Sequence, residues 1–135
     1  MLASFLNALR TRAARIAFGV LLAALLVAIS FLALSPHPPK VGDTGWDKLN
    51  HFLAFGSLTA VSIACARKAM WRWCWLPLIW LGYGGLIEVI QSFEPTRSAE
   101  WGDLLADAIG ISIGMVAAAS LHWLRLRVLA QPDLR

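Results

Sequence analysis

Residues 16–34 read IAFGVLLAALLVAISFLAL, and this stretch decides the fold. It holds no ionisable side chain. A helix of its 19 residues is about 28 Å long, close to the roughly 30 Å hydrocarbon core of a bilayer. Arg10, Arg12 and Arg15 stand before it, and the segment SPHPPKVGDTGW at 35–46 follows. Its prolines and glycines cannot extend a helix, so it reads as a loop. A cleaved signal peptide would share the basic start and the small residues near Ala33 and Ser35. The apolar run is longer than an ordinary h-region, however, and Pro36 and Pro38 crowd the cleavage position, which favours a transmembrane helix.

Three further spans lie downstream, at about 47–66, 73–91 and 103–123. A short basic turn with Arg67, Lys68 and Arg72 separates the first two, and the loop SFEPTRSAEWG separates the last two. The predicted architecture is an all-α bundle of four transmembrane helices forming one domain over 1–135, with a short exposed basic tail. Composition agrees: the 135 residues are 59% hydrophobic, with mean hydropathy +0.65. A soluble domain this small cannot enclose so much apolar surface.

Charge sets the expected orientation. With both ends inside, nine of the twelve basic residues fall on the inner side, and only Lys40, Lys48 and Arg97 fall outside. That asymmetry predicts N-in/C-in topology. Trp46 and Trp101 mark the outer interface, and Trp71, Trp73, Trp75 and Trp123 the inner one. The formal charge of +4 is thus a topology signal. No nucleic-acid motif accompanies it, so no nucleic-acid partner is expected. Cys65 and Cys74 form no CxxC motif and read as reduced packing thiols. His37, between prolines, reads as exposed, and His122 as interfacial.

Acidic residues distribute differently. Seven of the eight (Asp43, Asp47, Glu88, Glu94, Glu100, Asp103 and Asp107) lie in the outer half. Asp47 and His51 are an i, i+4 pair with Lys48 between them. Glu88 and Gln91 share a stripe with Gly84, and Asp103, Asp107, Gly110 and Gly114 form another. Charge facing lipid is costly, so these side chains should turn inward and meet. His51, Glu88, Gln91, Arg97, Asp103 and Asp107 are expected to converge in one outer cavity. The Gly110–Gly114 pair permits close helix packing, within the chain or across a homo-oligomer.

These motifs resemble those of the VanZ-like family of small bacterial membrane proteins. The segment DKLNHFLAFG at 47–56 is similar to the family's D-K-x-x-H-F-x-x-F signature, and GLIEVIQ at 85–91 to its G-x-x-E-x-x-Q. Pro95, Thr96 and Arg97, then Asp103, Asp107, Gly110 and Gly114, resemble its closing pattern. Asp107 stands where the family usually has asparagine, which calls for a proton or a compensating cation. The family takes its name from a protein linked to resistance to the glycopeptide teicoplanin. The resemblance implies a multi-pass protein of the bacterial plasma (inner) membrane, with an envelope role and an outer site. It implies no particular reaction and no resistance activity for this chain.

Several readings of the cluster stand side by side. It could be a hydrogen-bonded network that only fixes helix register. It could bind a lipid head group, cell-wall precursor or glycopeptide, with Asp47, Lys48, Gln91, Arg97 and Asp103 as ligand contacts. It could be an enzyme site in which His51, oriented by Asp47, exchanges protons together with Glu88 or Asp107; no nucleophile motif accompanies it. Metal ligation by His51, Glu88, Asp103 and Asp107 lacks a tight spacing motif, and no cofactor is expected. An ion pathway would need polar residues in the inner halves of the spans, and those halves are apolar.

Overall fold

The computed structural model describes residues 11–37, 39, 44–66, 69–95 and 100–130. Arg97, expected in the site, lies outside these residues, as do Arg10, Lys40, Asp43, Arg67, Lys68 and Asp133.

Four helices account for the described chain. Helix α1, Arg12–Leu34, begins at Thr11, whose hydroxyl accepts the Ala14 N–H at 3.1 Å. This side-chain cap satisfies one of the donors orphaned at a helix start. It ends at Ser35, just before Pro36. Helix α2 runs Asp47–Cys65. Its entry is folded by Gly45 in the left-handed region (φ 74°) and by the Thr44 N–H donating to Asn50 Oδ1 at 3.0 Å. Helix α3, Leu76–Gln91, is preceded by a π turn, Trp71–Trp75. Pro77 explains that turn. The proline lacks an N–H and its ring crowds the carbonyl one turn back, and the widened bond from Leu76 N–H to Trp71 O makes room. Helix α4, Trp101–Ala130, has 30 residues and is about 45 Å long. It therefore runs past the expected end near 123. The segment read as a short exposed tail is helical through Ala130, because Leu124, Leu126 and Val128 carry the helix onward between Arg125 and Arg127.

Neighbouring pairs fix the directions. Ser30 meets Tyr83 and Ala33 meets Gln91, so α1 and α3 run parallel. Lys48 meets Asp103 and His51 meets Asp107, so α2 and α4 run parallel. Gly84 faces Asp107 while Glu88 faces Glu100, so α3 opposes α4. The result is an up-down-up-down arrangement in which α2 packs against each of the other three helices.

Burial is inverted relative to a soluble protein. The core is small: Phe55, Leu58, Trp80, Ile87 and Ile111, flanked by Leu22, Leu25, Leu26 and Ile29 of α1. Thr59, Ser62, Gln91, Asp103 and Asp107 are also buried. Large apolar side chains instead cover the outside, among them Val27 (71% exposed), Leu53, Leu78, Leu86, Leu105, Ile113 and Val116. Such a surface is stable only against lipid. Three helical stretches, Arg12–Leu34, Trp71–Gln91 and Trp101–Val128, are long and apolar enough to cross a membrane. Helix α2 differs from the sequence reading here. It is long enough, but Asp47, Lys48, Asn50 and His51 in its first turns and Thr59 and Ser62 further along reduce its apolarity.

Candidate functional site

The close approach of α2 and α4 builds the site. Added to Gly110, a Cβ would lie 2.8 Å from the Phe52 carbonyl oxygen; added to Gly114, 2.5 Å from that of Gly56. The Gly110–Gly114 stripe is thus occupied within the chain, by the backbone of α2. Contact this tight brings the polar first turns of both helices to one level.

At that level His51 Nδ1 and Asp107 Oδ1 are 2.6 Å apart. Asp107 is completely buried and the His51 side chain 14% exposed. The imidazole plane is parallel to the ring of Phe55, one turn along α2. With Asp107 ionised, Nδ1–H donates to it, which fixes the tautomer and leaves Nε2 for other chemistry. The sequence reading gave this orienting role to Asp47. Asp47 is instead exposed at the mouth of the site, and the contact crosses from α2 to α4. The second Asp107 oxygen, Oδ2, is turned toward Gly84 and accepts no hydrogen bond among the described residues. A side chain at position 84 would collide with this carboxylate, which accounts for the glycine one turn below Glu88.

One turn above the pair, Lys48 Nζ lies 3.2 Å from Glu100 Oε2 and 3.6 Å from Asp103 Oδ1. Asp103 is buried, with 3% exposure. Glu88 Oε2 accepts the Glu100 N–H at 3.1 Å, and its electrostatic neighbours are His51, Asp103 and Asp107. Glu100 therefore ties Lys48 to Glu88. No spacing rule in the sequence points to this role, because its partners are 52 and 12 residues away. Gln91 faces another way, its Nε2 donating to the Ala33 carbonyl of α1 at 2.9 Å. The structure thus gathers Asp47, Lys48, His51, Glu88, Asp103 and Asp107 at one end of the bundle. Gln91 stands on the α1 side of that group, and Arg97 is outside the described residues.

A cavity of about 530 Å³ opens beside this cluster. Its polar end carries Asp47, Asn50, His51 and Gln91; its body is lined by Leu25, Ala28, Ile29 and Leu32 of α1, Leu53, Ala54 and Phe55 of α2, and Ile87 of α3. The sequence places no polar site residue on helix α1. That helix forms one wall of this cavity and is tied to α3 by the Ser30–Tyr83 hydroxyl contact at 2.7 Å. No residue of α1 is buried, so the helix leaves space against its neighbours.

A bundle with apolar exterior, buried carboxylates and a histidine-bearing cavity at one end defines a membrane protein with an internal polar site. The VanZ/LLP1 family model matches residues 2–124, and the chain belongs to that family. No curated protein and no solved structure matches it.

Proposed function

We propose that this VanZ-like protein is a multi-pass protein of the bacterial plasma (inner) membrane whose four helices all cross the bilayer, N-in/C-in, and that it captures a lipid-linked envelope molecule from the outer leaflet. The observation that carries this reading is the cavity's continuity from an apolar flank to a polar end. From Ala33 down to Leu25, α1 descends about 12 Å, against roughly 15 Å for one leaflet's hydrocarbon. A hydrocarbon tail fits along α1 and α2, while the head group meets Asp47, Asn50, His51 and Gln91. Acids set beside Lys48 favour a zwitterionic or hydroxyl-rich head group over a simple anion. Cell-wall precursors and glycolipids have that chemistry.

Native mass spectrometry of detergent-purified protein mixed with bacterial lipid extract tests this reading. The intact protein should retain a lipid-linked species, and Ala28→Trp, which fills the apolar wall, should reduce retention about tenfold without loss of the folded state. Equal retention by both proteins would contradict it. The carboxylate-held imidazole of His51 favours a second reading, acid–base catalysis on the same ligand. Conversion of the retained species by intact protein, but not by His51→Gln, would select catalysis over simple capture.

A further inference from the structure

The geometry points to a divalent-cation site at the mouth of this cavity, held by Asp47, His51 and Asp103. One carboxylate oxygen of Asp47, one ring nitrogen of His51 and one carboxylate oxygen of Asp103 lie within 4.8 Å of one another. Ligands around a zinc-sized ion stand ~3–4 Å apart, given metal–ligand bonds of about 2.0–2.2 Å. The set needs to contract by about an ångström, and the exposed Asp47 side chain in the first turn of α2 can supply that movement. Three protein donors with remaining positions open to water or ligand form a site able to act on a bound molecule. One imidazole and two carboxylates suit Zn²⁺ or Mn²⁺.

Proximity of acidic groups alone is weak ground, and two independent features add to it. The first lies behind the imidazole. His51 Nδ1 is bound by Asp107, a fully buried carboxylate outside the donor set, which leaves Nε2 as the donor to an ion. A carboxylate in that position orients metal-binding histidines and raises their basicity. The second is Asp103, which is 97% buried, yet its Oδ1 accepts no hydrogen bond among the described residues. The ammonium of Lys48, at 3.6 Å, is beyond hydrogen-bonding length and lies closer to Glu100. A buried carboxylate whose oxygen accepts no hydrogen bond and whose ion pair with Lys48 is long and shared with Glu100 is costly, and an ion between it and Asp47 would offset that cost. The cavity reaches both Asp47 and His51, so an ion and its ligand have a route in.

The ion also deepens the proposed capture role. Among the described residues, five carboxylates (Asp47, Glu88, Glu100, Asp103 and Asp107) gather around Lys48 and His51. Such a mouth repels phosphate. With a divalent cation in place it would bind the phosphate or pyrophosphate that joins a polar head group to its lipid.

The test uses the full chain in detergent, stripped with EDTA and equilibrated with Zn²⁺ or Mn²⁺ alone. Elemental analysis should find about one ion per chain. Asp47→Asn and Asp103→Asn should each weaken binding at least tenfold, and Asp107→Asn about 10- to 100-fold with all three donors still present. Glu94→Gln, outside the donor set, should bind as the unsubstituted protein does. Asp47 is exposed at a helix start, so its replacement leaves the fold intact, and a melting curve verifies that. Absence of ion from the unsubstituted protein, or unchanged binding in Asp47→Asn, would overturn the site and leave Lys48 and His51 as the charges that face Asp103 among the described residues. The lipid measurement on stripped protein reads separately: lipid retained without any ion-binding capacity refutes the cation site and leaves the capture role standing.

Discussion

Gly114→Ala is expected to destabilise the protein severely. The added Cβ would lie 2.5 Å from the Gly56 carbonyl oxygen, 2.9 Å from Thr59 Cβ and 3.3 Å from the Ala60 nitrogen. Two of those atoms belong to the backbone of α2, so no side-chain rotation relieves the overlap. The helices must separate, and overpacking of this kind costs about 1–3 kcal/mol or more. Separation also pulls His51 away from Asp107, so the loss extends to the polar cluster. Gly82→Ala provides the matched control. It lies on a membrane-facing helix with nothing within 4 Å of the new Cβ, and it should be neutral or slightly stabilising through helix propensity. Melting both variants in detergent checks the comparison, and a similar melting temperature for the two would show that α2 and α4 do not pack as described.

The second large effect belongs to the His51–Asp107 pair. Asp107→Ala leaves a largely buried imidazole without its carboxylate, and His51→Ala leaves a fully buried carboxylate without its partner. Removing one member of a buried pair typically costs about 3–5 kcal/mol. The double variant should be scarcely worse than either single one, because the second removal abolishes a charge already stranded. A coupling energy above about 1.5 kcal/mol is therefore expected, beyond the roughly 0.6 kcal/mol average for polar contacts between membrane helices. Additive losses would mean that the two side chains act independently.

Both experiments probe contacts of which the sequence showed only half. Residues 16–34 announced a membrane helix, and the i, i+4 relation of Asp47 and His51 placed the histidine at the start of α2. The stripe of Asp103, Asp107, Gly110 and Gly114 announced a helix face able to approach another closely. What spacing could not supply was the partner. Asp47 was the natural candidate for His51 because local geometry favours it. The glycines of α4 bring Asp107 within reach from 56 residues away, and His51 pairs with that fully buried carboxylate at 2.6 Å. Gly84 is a similar case: its need for hydrogen in place of a side chain becomes apparent only once Asp107 Oδ2 is seen against it. The role of α1 was invisible because a uniformly apolar helix shows no preferred face, and its contribution is the space it leaves. The sequence placed a basic, exposed tail after Trp123, and the structure continues the helix through it to Ala130, where the alternating apolar residues sustain it and Arg127 packs over the Trp123 ring at 4.1 Å.

The functional proposal depends on which side of the membrane the mouth faces. A single cysteine introduced as Asp47→Cys, in a chain carrying Cys65→Ala and Cys74→Ala, can be challenged with a membrane-impermeant maleimide on intact spheroplasts. Asp47→Cys should be labelled from outside, and Arg127→Cys, at the other end of α4, only after lysis. Labelling of Asp47→Cys that required lysis, with Arg127→Cys labelled directly, would contradict the proposal.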